Sequence, residues 1–350
     1  AWSWKSCITL ESTAELKRSA GSFLAREHVL ESETLGHLHP KVVETMQDMS
    51  LPQLLKHGSV STIREFVDVC GILSEGDMSA GWCNFVWGIN NYLVGLYPSA
   101  TQEKVWQNPK TLISGSLSPL GNTDTVSSDG ALISGRWSFN AGCDYAEWLL
   151  LGFSDSGGDS YLALVHSSEY ETEDGSRMLG LRGAGLKDVL CNAIQIPTER
   201  LMPASMTLVP YGALLILLIV GPVIGGAQAA VSEFRKELSG SSDRSLLLNL
   251  AEASAEIDTA RTLVLFDADI LDVNPAPNPF ITARILRDTA FAARLCNRAT
   301  RRLVAASGSS NSYQKSDIYR IFRNVPAACG HSRLQWESQS LPYAHMLIGG

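Results

Sequence analysis

Residues 212–231, GALLILLIVGPVIGGAQAAV, carry no charged side chain over twenty positions. That is the length of a membrane span. A helix without a polar face must be covered on every side, so the chain has to be built around it. Pro222 and four glycines interrupt the stretch, it stands alone in mid-chain, and it lacks a basic flank. Those features argue against spanning. The stretch therefore reads as a central helix, buried in a bundle or at a subunit interface.

The chain has 350 residues, enough for two or three domains. Hydrophobic residues make up 45% and charged ones 18%, as in globular proteins. A net charge of −8 argues against a nucleic-acid surface, which needs a basic face. The clearest basic run, Arg298, Arg301 and Arg302, reads as a solvated helix face. Cys7, Cys70, Cys83, Cys143, Cys191, Cys296 and Cys329 form no CxxC and are irregularly spaced. Neither zinc nor a disulfide framework is expected, and reduced thiols fit a cytoplasmic protein. His37-Leu38-His39 reads as a surface pair at a helix start, so no metal is expected. AWSWKSCITL has no long apolar core and no cleavage pattern, so no signal peptide is expected.

Residues 1–110 read as helical. Leu16, Phe23, Leu24 and Leu30 recur at helical spacing, and Pro40 opens a helix to about Met49. Ser61 is placed to cap a helix carrying Phe66, Val69 and Ile72. Ser79 is placed to cap another, apolar almost all round, from Trp82 to Leu96. Residues 111–208 change to a period of two, with Asp-Gly turns at Asp129-Gly130 and Asp174-Gly175. The spacing predicts strands over Thr111–Leu117, Ala131–Phe139, Trp148–Phe153, Tyr161–His166 and Val189–Ile196. Residues 209–350 return to helix. Asp243 caps a long helix, Asn274 to Pro279 breaks it, and Phe280–Ala306 follows. Ser316–Gln339 forms a further helix containing Pro326. The expectation is a mainly α protein with an inserted β-domain: an N-terminal helical domain (1–110), a middle β-barrel or sandwich (111–208) and a C-terminal four-helix bundle (209–350).

Within GRWSFNAGCDYAEWLLLG (Gly135–Gly152), Asn140-Ala141-Gly142 breaks one strand before Trp148–Leu151 resumes as another. A turn between two such strands exposes backbone N–H groups beside aromatic faces. A flat, polar-edged ring such as a flavin needs such a place, though many β-hairpins share the pattern.

GRWSFNAGCDYAEW resembles a segment of flavin-dependent monooxygenases built on the acyl-CoA dehydrogenase fold, written GRWSFSSGCDHxxW in that group. Also similar are SAGW (Ser79–Trp82), GLYP (Gly95–Pro98), SLSPLG (Ser116–Gly121) and RGAGLKDVLCNAIQIPTER (Arg182–Arg200). AEIDTAR (Ala255–Arg261) and IYRIFRNVPAACGH (Ile318–His331) complete an ordered set from about residue 40 to 340. The group includes hydroxylases of p-hydroxyphenylacetate and of steroid-derived phenols, dibenzothiophene monooxygenase and amino-sugar N-oxygenases. The resemblance implies the acyl-CoA dehydrogenase-like fold, a homotetramer, and the oxygenase component of a two-component enzyme. A separate flavin reductase would supply reduced flavin, FAD or FMN. Oxygen would add at the flavin C4a, and the hydroperoxide so formed would hydroxylate an aromatic or heteroaromatic small molecule.

The same resemblance implies site residues. His331 stands where many acyl-CoA dehydrogenases have a catalytic glutamate, which would make it the acid/base. Ser116, Leu117 and Ser118, with Phe139, Asn140 and Ala141, would hold the flavin ring. Arg244 and the Gly308, Ser309, Ser310 loop would meet the phosphate end. Asn90 would stand near the substrate, in place of a histidine. Asn140-Ala141 replaces a serine pair, Arg323-Asn324 an Arg-Asp pair, and Leu186 a serine. Simple phenol ortho-hydroxylation is therefore in question, and indoles, polycyclic intermediates and amines stay open. The competing readings are an acyl-CoA dehydrogenase-like oxidoreductase with Glu147 or Asp144 as a relocated base, and a bundle protein without a cofactor.

Overall fold

The structure, a computed structural model, describes residues 22–175, 178–240, 242–307 and 317–349. Helical residues 22–27 lead into α1 (Val29–Leu35), α2 (Pro40–Asp48), α3 (Ile63–Gly76), α4 (Met78–Val94) and α5 (Ser99–Val105). Capping sets where these helices begin. Thr62, not Ser61, caps α3 in a reciprocal box with Glu65. Asp77, not Ser79, caps α4, accepting the Ser79 N–H at 2.9 Å. A carboxylate is the stronger acceptor, and it lies two residues before the amide it holds. His39 caps α2, while His37 lies against Tyr145 instead, with ring centroids 5.6 Å apart.

The strands are β1 (Ile113–Asn122), β2 (Ala131–Asn140), β3 (Trp148–Ser154), β4 (Ser160–His166), β5 (Glu171–Glu173), β6 (Lys187–Ile196) and β7 (Leu201–Pro203). They form a sheet in the order β5-β6-β2-β1-β3-β4-β7, in which only β1 and β3 are parallel. The segment around Asn140-Ala141-Gly142 therefore does not close a hairpin. β1 lies between β2 and β3, and a short 3-10 turn at Cys143–Tyr145 carries the chain past it. Trp137, Leu149, Leu151 and Phe153 fill a satellite core on this sheet.

After a turn of helix, α6 (Ala204–Thr207), come α7 (Gly212–Glu237), α8 (Arg244–Val273), α9 (Pro279–Ala306), α10 (Asp317–Cys329) and α11 (Trp336–Leu347). The helix continues through Pro222 without a break and runs past the apolar stretch to Glu237, and α7 is the one described helix long and apolar enough to cross a membrane. Its apolar part is almost wholly buried against α3, α4, α8, α9 and α10 of the same chain. Its glycines serve that cover. A Cβ on Gly225 would lie 2.0 Å from the Gly71 carbonyl, so only glycine lets α7 cross α3 this closely. The reading of Ser316–Gln339 as one helix is corrected. Gly330 ends α10, and His331 is extended (φ −57, ψ 132) before a 3-10 turn.

Arg284 joins α8 to α9, reaching Asp267 at 2.8 Å and Asp288 at 3.3 Å. Burial, and then the neighbouring Asp288 carboxylate, push Asp267 up to about 7. A carboxyl that binds protons more tightly folded than unfolded favours the native state more as pH falls from about 7. Asp267→Asn is therefore expected to stabilise the protein at pH 8 by roughly 1–3 kcal/mol, with the difference shrinking towards pH 5. Thermal melts of both proteins across that range check it.

Candidate active site

α4 forms the wall on which the site is built. Trp87 Nε1 donates to Gly142 O at 3.2 Å, and Asn90 Nδ2 donates to Ile113 O at 3.2 Å. Ser114 Oγ donates to Ala141 O at 2.6 Å, joining the start of β1 to the turn after β2. The two strands otherwise pair only at Gly121↔Gly135 and Asn122↔Ser134. Between those points β1 bulges from Ser116 to Pro119, and β2 shifts register between Trp137 and Asn140. Ser116, Leu117 and Ser118 thus face residues 138–140 across an unpaired interval. The structure brings Asn90, the serine bulge and Phe139, Asn140 and Ala141 to one place.

Two features mark that place. Phe139 has φ 65 and is 51% exposed. A non-glycine residue in this left-handed region costs about 1–2 kcal/mol, here spent on a ring left open. Asn140 is fully buried, its Nδ2 donating to Trp137 O at 2.6 Å and Lys187 O at 3.2 Å. The Oδ1 atoms of both Asn140 and Asn90 are buried without a partner. Such acceptors are costly unless something donates to them. The side chain of Asn140 therefore offers an acceptor and no free donor.

His331 stands further along the wall. Its ring centroid lies 6.2 Å from that of Trp82, which meets Phe85 edge-on at 5.6 Å. Trp82 is eight residues from Asn90, about 12 Å along the helix, so the two expected catalytic residues share a wall without touching. His331 Nδ1 accepts the Arg333 N–H at 3.2 Å, which assigns the proton of the neutral ring to Nε2. Burial, and then Arg333, hold its pKa below the ordinary histidine value, so the ring is neutral at pH 7.

The alternative bases are engaged. Asp144 pairs with Lys187, and Glu147 accepts the Thr111 hydroxyl at 2.9 Å. Burial pushes the Cys143 thiol up to about 12 and Cys83 well above its usual range, so neither is a nucleophile. Arg244 is exposed in the first turn of α8, which packs on α3, α7 and α9. Nothing among the described residues brings it to the β1–β2 interval. Gly308, Ser309 and Ser310 lie outside the described residues.

Some supporting residues carry no local signal in the sequence. Ser114 sits in a plain strand, and only the tertiary pairing shows its bond to Ala141. Arg323 clamps Glu33 of α1 through two 2.9 Å bonds, and Asn324 Oδ1 accepts the Leu181 N–H at 2.9 Å. These contacts pin residues 179–185, where Leu181 (φ 56) and Gly185 (φ 61) are both left-handed. Ala184 O then accepts Gly142 N–H at 2.7 Å, so the pinned loop supports the turn after β2.

Comparison with known proteins places this arrangement. The acyl-CoA dehydrogenase C-terminal domain family matches residues 217–336. The oxygenase subunit HsaA, a flavin-dependent monooxygenase of Mycobacterium tuberculosis, is 27% identical over 354 residues, covering 88% of each chain. The crystal structure of 3-HSA hydroxylase from Rhodococcus sp. RHA1 superposes with a TM-score of 0.90 at 22% identity, covering 97% of both chains. XiaF from Streptomyces sp., solved in complex with FADH2 and glycerol, gives 0.87 at 20% identity over 97% of both. The fold is that of the acyl-CoA dehydrogenases. Within it, the chain is a homologue of the flavin-dependent monooxygenases and an enzyme of their class.

Asn324→Ala would leave the buried Leu181 N–H without its acceptor. The expected loss is about 1–3 kcal/mol of stability, read from denaturant unfolding, with faster proteolysis within residues 174–185.

Proposed function

We propose that the chain is the oxygenase component of a two-component flavin-dependent monooxygenase, acting on an aromatic or heteroaromatic small molecule. The observation that carries the reading is Phe139, a strained and open aromatic ring beside the Ser116–Ser118 bulge. Relatives named as hydroxylase oxygenase components support it. Reduced flavin, FAD or FMN, supplies the reducing electrons that let O2 be activated. A separate reductase delivers it, as the word component in those names implies.

The chain's own residues divide the work. Ser116 and Ser118 offer hydroxyls, Phe139 covers one ring face, and the free Oδ1 atoms of Asn140 and Asn90 accept N–H groups of cofactor or substrate. Trp82 and Phe85 give an apolar wall that excludes water. His331 donates from Nε2 and exchanges a proton with the substrate. Arg244 and Gly308 to Ser310 hold the phosphate end from a neighbouring subunit. The assembly is a homotetramer in the cytoplasm. The likeness to the flavin-dependent monooxygenases supports the assembly, while α7, covered by its own chain, does not.

Anaerobic mixing with reduced FMN or reduced FAD, followed by oxygen, tests the reading. The expected result is a transient absorbing species before reoxidation, with one flavin preferred. Tight binding followed by reoxidation at the free-flavin rate would overturn it. His331→Ala is expected to keep flavin binding and cut product formation more than about tenfold. In the parent enzyme turnover should fall on the acid side as His331 protonates, at a pH below the ordinary histidine range. That acid limb should vanish in the variant.

A further inference from the structure

Among the described residues, one group of three His, Cys, Asp or Glu side chains stands close enough to hold a metal ion. It is His28, Glu31 and His39, at the corner between α1 and α2, and its ligand atoms all lie within 4.8 Å of one another. His28 Nδ1 lies 2.5 Å from Glu31 Oε2, and His39 Nε2 lies 3.6 Å from the same oxygen. The backbone brings these groups together. Gly36 is left-handed (φ 76) and turns the chain back after α1. Ser32, fully buried, donates through Oγ to His28 O at 3.0 Å and accepts the His39 N–H at 2.9 Å. One hydroxyl thus clasps the backbones of both histidines, beside Glu31 on α1. The sequence pairs His37 with His39 and expects no metal there. The structure parts them: His37 goes to Tyr145, and His39 returns to His28.

We infer that His28, Glu31 and His39 bind a zinc ion. Two imidazole nitrogens and a carboxylate oxygen are a zinc donor set, and three protein ligands leave a fourth position for water. The exposed Glu31 carboxylate opens that position to solvent. A proton between Glu31 and one ring serves that ring alone, whereas an ion there serves both. The bond from His28 holds Glu31 below the usual carboxylate range, so its oxygens are free to ligate at pH 7. Donors around zinc stand about 3–4 Å apart, so the group closes onto an ion by about 1 Å. The two rings are stacked, with centroids 4.1 Å apart and planes 5° from parallel. Parallel rings cannot both hold one ion in plane, so binding tilts His39, the more exposed of the two. The tilt gives up the 3.3 Å bond from the Lys41 N–H to His39 Nδ1. Nδ1 then takes the ring proton, and Nε2 keeps a lone pair for the ion. The site shares no residue with the β1–β2 interval, so it stands or falls apart from the oxygenase reading.

Calorimetric titration of the intact protein with Zn²⁺, after stripping with a chelator and dialysis, tests the inference. Zinc is expected to bind one to one, with a dissociation constant below about 10 μM. An exposed ion pair contributes little to stability, so Glu31→Gln should keep the melting temperature in chelator. It should weaken zinc at least about tenfold, and His28→Ala and His39→Ala should weaken it similarly. His345→Ala, which removes an exposed histidine on α11, should leave it unchanged. X-ray absorption at the zinc edge should show nitrogen and oxygen neighbours and no sulfur. Absence of zinc binding at millimolar concentration overturns the inference. So does a sulfur neighbour, zinc binding as tight in Glu31→Gln as in the parent, or a loss in His345→Ala equal to that in Glu31→Gln.

Discussion

The cover of α7 is the constraint on which the other helices depend. The first twenty residues of α7, of nearly uniform apolarity, leave no side that water can touch. Burying them takes α3 and α4 from the N-terminal half together with α8, α9 and α10 from the C-terminal half. At about 25 cal/mol per Å², no polar contact in the molecule competes with that drive. The glycine contact between Gly225 and Gly71 sets how near α3 comes. α4 follows α3 across a single residue, Asp77, so its placement is inherited from the same packing.

Once α4 is placed, the sheet has something rigid to lean on. Trp87, Asn90 and Ser114 connect helix, strand and turn through backbone acceptors. The interval between β1 and β2 stays open because each strand spends its irregular residues there. β1 uses a bulge, and β2 uses the left-handed Phe139. Bulges and strained residues are lost first in an ordinary sheet, and their survival here follows from support behind them. That support comes from the turn at Gly142, held by both Trp87 and Ala184.

The parts legible in the sequence were those set by local chemistry. Asp243 as a cap, Asn274 to Pro279 as a break and five of the strands need only nearby residues. The parts that were not legible depend on distant partners. Thr62 and Asp77 win their caps through geometry that Ser61 and Ser79 lack. The strand order hides behind a turn that reads as a hairpin, because nothing local says β1 will lie between β2 and β3. β5 and β7 are three residues each, too short to show a period. At the site, the family resemblance pointed to Ser116, Phe139 and His331. The orphaned Oδ1 atoms of Asn90 and Asn140 appear only when burial is known.

The break after α10 decides what His331 is able to do. Had the helix run on, its ring would have been one more packed side chain beside Ala327 and Ala328. The helix runs through Pro326 and stops at Gly330, a residue that favours the helix least after proline, so the backbone turns out at His331 and frees its side chain from the helix face. Nδ1 then folds back onto the Arg333 amide, and Trp82 backs the ring. A histidine held at one nitrogen and shielded on one face presents its other nitrogen with a defined proton. A glutamate at the same position would present a charge. In the proposed oxygenase that exchange replaces a group that would remove a proton as a carboxylate with one that would donate a hydrogen bond from a neutral ring.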